Sequence, residues 1–427
     1  MKKKVSIITL GCKVSQYESD AIAKEFENLG YETHSHLLDA DYYVVNTCAV
    51  TNEAERKSRN YISKILSTNK DAKIIVCGCA SEHNREQFLS NQNVIFVFGN
   101  NKKSTISKLI QDFENEKDKK ENLSRDKFEK LGLTYENFSV IPNGRTRAYL
   151  KIQDGCNNFC SYCLIPFVRG RSRSRDLCEI TKEAEILAQN NKEIVLTGIN
   201  MSDYRIDNEL SLGKVLQSLS NVEARIRIGS LEVNIIDDEF LSILKAMPNF
   251  CPQFHLSMQS GCDRILTLMN RHYSKDKYLQ KIELIKKYFP DAVITTDVIV
   301  GFPTETEEDF NETIDTIKKA KFYKMHIFPY SLREGTKASR MTQVNGKIKH
   351  ERVKILEKIN DELHNEYLNK MFNKTQMVLT EEIDDDYVIG YTENYIRMYL
   401  PKDTPLQSLI KVKIKEQFKD GAKGEII

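Results

Sequence analysis

Cys156-Asn157-Asn158-Phe159-Cys160-Ser161-Tyr162-Cys163 follows a predicted strand, Arg147–Gln153. Three thiolates at C-x₃-C-x₂-C can hold three corners of a [4Fe–4S] cube and leave the fourth iron without a protein ligand. An iron with an open position can bind a small molecule and act on it, so the spacing points to catalysis more than to electron storage. Gly155 lets the backbone approach the inorganic sulfides. Phe159 and Tyr162 put aromatic surface beside them. A zinc knot is the alternative, but zinc normally takes four protein ligands, and no nearby His or Cys completes a set.

Working outward, the segment around this loop repeats strand then helix. Strands are predicted at Arg147–Gln153, Glu193–Thr197, Ala224–Gly229, Gln253–Met258, Ala292–Val300 and Tyr323–Phe328. Six βα units form part of a (β/α)₈ barrel, open on one side, with reactive groups at the C-terminal ends of its strands. Gly346 to Met371 reads as a long charged helix, docked through Val353, Leu356, Ile359 and Leu363.

Upstream, strands Val5–Leu10, Tyr42–Asn46 and Lys73–Cys77 alternate with helical patterns at Gln16–Asn28 and Glu53–Leu66. Val94–Phe98 can add a further strand. This order argues for a parallel sheet with helices on its faces. Cys12, Cys48 and Cys79 each follow one of the first three strands. Ligands gather at that edge of an open α/β sheet, so these three thiols are candidates for a second [4Fe–4S] cluster with an open iron. Cys77 rivals Cys79 but lies inside its strand and is assigned to packing. Cys178, Cys251 and Cys262 stand alone and read as small packing residues.

The fold class is therefore α/β, in three parts. Residues 1–114 form an N-terminal parallel-sheet domain, 115–141 a charged linker, and 142–371 the partial (β/α)₆ barrel. Residues 372–427 form a small β-barrel, with strands at Gln376–Glu382, Tyr387–Tyr391, Ile396–Leu400 and Ile410–Ile414. No apolar run is long enough to span a membrane, and the short run after Met1-Lys2-Lys3-Lys4 reads as a strand rather than a leader. A cytoplasmic protein is expected, with neither a membrane nor DNA as partner. The formal net charge of +2 offers no bulk basic field, so nucleic-acid binding must rest on local patches. Arg169, Arg171, Arg173 and Arg175 form one such patch, a fan able to grip phosphates or a solvated charged loop. Tyr391, Tyr395, Arg397 and Tyr399 form another, suited to single-stranded or loop RNA. Alternation puts Tyr395, Arg397 and Tyr399 on one strand face and Ile396, Met398 and Leu400 in the core.

These residues resemble the methylthiotransferase family of radical S-adenosylmethionine enzymes over nearly the whole chain. Thr9-Leu10-Gly11-Cys12-Lys13-Val14, Val45-Asn46-Thr47-Cys48 and Gly78-Cys79-Ala80 are similar to its N-terminal domain. Gln153 through Arg171, Leu256-Ser257-Met258-Gln259-Ser260-Gly261, Met269-Asn270-Arg271 and Asp297 through Pro303 are similar to its radical domain. The C-terminal segment resembles the RNA-binding TRAM domain. Cys12-Lys13-Val14, Lys57-Ser58-Arg59 and Gly390 to Tyr395 look most like the branch that converts N6-threonylcarbamoyladenosine at tRNA position 37 to its 2-methylthio form. Ser15 departs from that branch, which usually has Asn there.

The resemblance implies two [4Fe–4S] clusters and S-adenosylmethionine. Cys156, Cys160 and Cys163 would hold the radical cluster, which generates a 5′-deoxyadenosyl radical to take hydrogen from adenine C2. Cys12, Cys48 and Cys79 would hold the sulfur-carrying cluster. Tyr162, Thr197, Gly198 and Gln259 would contact S-adenosylmethionine, with Glu232 and Asp297 undecided between structural and functional roles. Arg169, Arg171, Arg173, Tyr395 and Arg397 would meet a tRNA anticodon loop. A low-potential donor such as flavodoxin or ferredoxin would supply electrons. Rival readings are the branches acting on isopentenyladenosine or on a ribosomal-protein aspartate, and a non-catalytic iron–sulfur RNA-binding protein.

Overall fold

The computed structural model describes residues 2–115, 124–129, 131–138 and 146–427. The N-terminal sheet is parallel and five-stranded, in the order Glu32–His34, Lys4–Thr9, Tyr42–Thr47, Lys73–Gly78, Val94–Val97. The edge strand Glu32–His34 is absent from the sequence reading. It is short, polar and partly exposed, so it lacks the apolar run that marks the buried strands. The order reverses between Lys4–Thr9 and Tyr42–Thr47, and such switch points open the crevice that receives ligands.

Six parallel strands then build an open half-barrel: Arg147–Lys151, Glu193–Thr197, Arg225–Ile228, Gln253–Leu256, Val293–Val300 and Lys324–Pro329. The third strand changes partner at Gly229. Arg225–Ile228 pairs with Glu193–Leu196, and Ser230–Leu231 then pairs with His255–Leu256. Alternation governs the two faces. Leu150, Ile194, Leu196, Ile226, Ile228, Leu256 and Ile294 point outward into the helix-covered core. The concave face instead carries Arg147, Thr197, Arg227, Gln253, His255, Asp297 and His326, a polar lining fit for a ligand rather than for packing.

The half-barrel's two edges are covered differently. Helix Lys13–Asn28 of the N-terminal domain packs on the first strand. The long helix runs over Gly346–Met371 and covers the last strand, with Asn360 Oδ1 accepting the Met325 amide at 2.7 Å. Leu356 and Ile359 are buried, and Val353 and Leu363 pack against the same core.

The C-terminal segment is a closed five-stranded barrel, ordered Thr375–Asp384, Tyr387–Thr392, Arg397–Pro401, Gly421–Ile426, Leu409–Phe418. Ile396, Met398 and Leu400 fill its core as alternation predicts. The strand Gly421–Ile426 was not legible, because Gly-Ala-Lys-Gly-Glu has low strand propensity. It closes the barrel through its glycines: a Cβ on Gly421 would stand 2.2 Å from the Arg397 carbonyl oxygen. The barrel docks at the N-terminal ends of the half-barrel strands, opposite the cysteine loop. Arg225 donates to the Met377 carbonyl at 3.1 Å and Arg227 to the Glu393 carbonyl at 2.9 Å.

Segment 115–141, expected as a linker, is packed where it is described. Arg125 donates to the Val94 carbonyl at 2.9 Å, Tyr135 to the Lys151 carbonyl at 2.9 Å, and Phe138 lies edge-on to Tyr17. Most of the charged run Glu114–Glu121 lies outside the described residues.

Candidate functional site

The first cysteine loop leaves strand Gln153–Asp154 through Gly155, whose φ is +72°. A Cβ there would meet the Arg171 carbonyl oxygen at 2.0 Å, so only glycine fits. The Asn158 and Ile165 amides donate to the Cys156 and Cys163 sulfurs at 3.5 and 3.4 Å. Arg271 donates to the Cys160 sulfur at 3.5 Å, and its other nitrogen is held by Glu232 at 2.6 Å. Asn270 fixes the loop by donating to the Asn158 and Phe159 carbonyls at 3.0 and 3.2 Å. Asn270 and Arg271 had no role in the sequence reading beyond their place in a matching motif. Glu232 thus gains one: it aims the cation at Cys160.

The second triad sits at the sheet edge. Cys12 occupies the N-cap of helix Lys13–Asn28, which starts three residues earlier than its apolar pattern suggests, and Cys12 makes no capping bond. The Cys79 sulfur accepts from Arg169 Nε at 3.3 Å and from Asn100 Nδ2 at 3.5 Å. Gly78 has φ +106°, and a Cβ there would stand 2.5 Å from the Thr47 carbonyl oxygen. Cys77 is wholly buried in the neighbouring core, as assigned.

Burial, then the neighbouring thiols Cys79 and Cys12, pushes Cys48 up to about 11. Burial pushes Cys156 up to about 11 and Cys163 up to about 12. The thiols of each triad are therefore close enough to repel one another once ionised, and metal binding would displace their protons. Among the described residues no three His, Cys, Asp or Glu side chains converge on one ion. Three thiols per set, with no fourth protein ligand beside them, is a donor set that a [4Fe–4S] cluster with one open iron would accept.

A buried ionic network joins the triads. Arg169, only 1% exposed, contacts Glu18 at 2.8 Å and Asp154 at 3.1 Å as well as the Cys79 sulfur. Asp154 in turn accepts the Gly155 amide at 2.7 Å, one residue before Cys156. Lys103 and Lys151 complete the set at 2.6 and 2.9 Å from Glu18. Burial opposes the charge of Glu18, but Arg169, Lys103 and Lys151 together hold its carboxyl well below the usual range.

This geometry corrects the arginine fan. Arg169 is wholly engaged inside the protein. Arg173 is buried against the Arg169 and Arg171 carbonyls, and Arg175 is paired with Glu183. Only Arg171 reaches the surface, over the Phe159 ring at 4.4 Å. Buried acceptors and ion-pair partners hold three of the four arginines inside, which charge alone does not reveal. The second patch is also redirected. Tyr395 stacks on Tyr391 at 4.8 Å and accepts from Arg147 at 2.7 Å, while Arg397 pairs with Asp384 and Asp420. Both residues line the cavity between the two barrels. Cys178 is exposed and is not a packing residue, whereas Cys251 and Cys262 are buried as expected.

Between the three domains lies a cavity of about 770 Å³. Cys12, Lys13, Thr197, Gly198, Arg227 and Asp297 are among its walls. Thr197 and Gly198 end their strand there, and a Cβ on Gly198 would press on Met201 at 2.7 Å. Burial works against the Asp297 charge, but hydrogen bonding from His255 at 3.1 Å lowers its pKa. Gln259 holds a left-handed backbone, φ +65°, through bonds to Asp297 and Ile299, and is absent from this cavity wall. Tyr162 packs edge-on to Phe302. A second cleft of about 310 Å³, beside Cys156–Cys160, is lined by Asn158, Asn200, Glu232 and Arg271.

Residues 150–317 match the Radical SAM superfamily, and residues 4–99 match the Uncharacterized protein family UPF0004. The Bacillus subtilis threonylcarbamoyladenosine tRNA methylthiotransferase MtaB is 38% identical over 423 residues, covering 96% of this chain and 93% of that protein. The chain belongs to the radical SAM methylthiotransferase family. Another methylthiotransferase, the tRNA-2-methylthio-N(6)-dimethylallyladenosine synthase of Alkaliphilus oremlandii, is 32% identical, covering 100% of this chain and 93% of its own. Among solved structures, the radical S-adenosylmethionine methyltransferase TsrM of Kitasatospora setae has TM-score 0.59 at 14% identity, covering 79% of this chain and 77% of its own. That likeness concerns the fold alone. No helix among the described residues of this methylthiotransferase is long and apolar enough to cross a membrane.

Proposed function

We propose that this radical SAM methylthiotransferase converts N6-threonylcarbamoyladenosine at position 37 of tRNA to its 2-methylthio form. The observation that carries the reading is the pair of three-thiol sets, each on a strand-end edge and joined through Arg169. A reaction with two tasks, hydrogen removal and sulfur delivery, calls for two such centres. The 38% relatives support the choice of nucleoside.

Cys156, Cys160 and Cys163 would hold the radical cluster, and Cys12, Cys48 and Cys79 the auxiliary one. Bound clusters and S-adenosylmethionine supply homolytic C–H cleavage and a methylated sulfur. The chain's own residues organise that chemistry. Gly155 permits close backbone approach. Arg271 and Arg169 place a cation against one sulfur of each triad. Asn270 locks the cysteine loop, and the polar concave face receives the base. Arg171 is the member of the fan left to meet RNA phosphate. A low-potential donor such as flavodoxin or ferredoxin would deliver electrons, and a tRNA substrate implies the cytoplasm.

Mass spectrometry of tRNA nucleosides from cells with and without the protein tests the reading. Loss of 2-methylthio-N6-threonylcarbamoyladenosine in its absence is expected. Unchanged levels, or loss of the isopentenyl product instead, would defeat it.

A further inference from the structure

Most charged groups that face the central cavity are already matched. Arg147 has Glu381 and Tyr395, Arg227 has Glu193, and Arg397 has Asp384 and Asp420. The two carboxylates are taken as well, Asp297 by His255 and Ser257, and Asp420 by Tyr399 and Arg397. Lys13 is different. It follows Cys12 directly, opens the helix Lys13–Asn28 and lines the cavity. Among the described residues its ammonium has no hydrogen-bond or ion-pair partner, and its charged neighbours are the cations Arg147 and Arg227 and the carboxylate Glu193, which Arg225 and Arg227 already hold. Among the described residues Lys324 also lacks an acceptor, but it begins the last strand, whereas Lys13 adjoins Cys12.

An exposed ammonium facing the cavity, whose one neighbouring carboxylate is already paired, is free to bind an anion on the ligand. The substrate proposed above carries one. A threonylcarbamoyl group on N6 ends in a carboxylate, whereas a dimethylallyl group is apolar. Atoms C2 and C6 of adenine both flank N1, so an N6 substituent turned towards N1 comes close to C2. A base with C2 directed at the sulfur-bearing triad would bring that carboxylate to the residue following Cys12.

We infer that Lys13 reads the charge of the N6 substituent, its ammonium pairing with the substrate carboxylate. The inference rests on the proposed nucleoside. It assigns specificity to one side chain, and the matched arginines then serve to hold the cavity open and polar.

The test uses the two-cluster holoenzyme and an anticodon stem-loop RNA carrying either N6-threonylcarbamoyladenosine or its methyl ester, which removes the charge at the cost of one added methyl group. Wild type should bind the acid at least about tenfold more tightly than the ester, the ordinary worth of a hydrogen bond to a charged group. Lys13→Met should bind both RNAs at the ester level, and Lys13→Arg should retain part of the preference. Lys13→Gln provides a second neutral variant, and variants are compared at full iron content for both clusters. Equal binding of acid and ester by wild type would overturn the inference. So would a Lys13→Met protein that discriminates as wild type does, or that weakens on both RNAs alike, since Lys13 would then serve a part common to the two. Wild-type holoenzyme that fails to methylthiolate the acid RNA refutes the nucleoside itself. Methylthiolation with discrimination indifferent to Lys13 refutes only the role of Lys13.

Discussion

Replacing Arg169 with Met keeps much of the side-chain volume and deletes the guanidinium at the centre of the buried network. Four cations, Lys103, Lys151, Arg169 and Arg173, meet two carboxylates, Glu18 and Asp154. Removing one partner of a buried pair costs roughly 3–5 kcal/mol. Here Lys103 and Lys151 remain on Glu18, and Lys151 and the Gly155 amide remain on Asp154, so the lower end applies, about 3 kcal/mol. The assay is equilibrium urea unfolding of the cluster-free protein, followed by far-UV circular dichroism and by the intrinsic fluorescence of its 19 tyrosines, since the chain has no tryptophan. A second readout isolates the sulfur contact. In a protein whose Cys156, Cys160 and Cys163 are all alanine, Arg169→Met should lower the reduction potential of the remaining cluster, because a positive hydrogen-bond donor leaves Cys79. A variant with an unchanged urea midpoint and an unchanged potential would refute the reasoning on both counts.

Cys12→Ala, Cys48→Ala and Cys79→Ala should each remove about half of the bound iron, as read by metal analysis of the reconstituted protein, whereas Cys77→Ala should leave it intact. Arg225 and Arg227 hold wholly buried Glu193 at about 2 against burial, which by itself would raise it. That depression contributes about 3 kcal/mol above pH 5 and is lost as pH falls towards 2, so Glu193→Gln should flatten the acid limb of the stability profile. Gly155→Ala should block incorporation of the radical cluster, seen as loss of about half the iron, because its Cβ would collide with the Arg171 carbonyl.

Much of the frame was legible because its signals are local. Apolar runs placed the three N-terminal strands that carry cysteines, and the spacing of Cys156, Cys160 and Cys163 picked out their loop. The alternation over Ile396–Leu400 gave the correct core face of the C-terminal barrel. What stayed hidden depends on tertiary partners. Glu18, Lys103 and Lys151 are charged residues that a sequence pattern assigns to solvent, and each is buried only because the others are. Arg169 and Arg173, read as a phosphate-gripping fan or a solvated loop, are buried for the same reason. Tyr395 and Arg397 carry the aromatic and cationic chemistry of an RNA surface, yet Tyr395 is covered by Arg147 and Arg227 of the half-barrel and Arg397 is paired with Asp384 and Asp420 of its own barrel. Arg271 and Lys13 lay within quoted motifs, but only the fold brings one to Cys160 and the other to the wall of the central cavity.

The described part of segment 115–141 has a mechanical consequence. A hinge needs a stretch of chain with few partners. Residues 124–138, where described, are instead fastened along their length: Arg125 to strand Val94–Val97, Glu136 to Ser104, Tyr135 to the first half-barrel strand and Phe138 to helix Lys13–Asn28. The edge bearing Cys12, Cys48 and Cys79 and the loop bearing Cys156, Cys160 and Cys163 are thereby tied through shared contacts. Under the proposed function, transfer between two centres tied in this way would not call for swinging one domain towards the other. The travel falls to the small groups, so turnover should track the exchange of ligands in the cavity rather than any opening and closing of the chain.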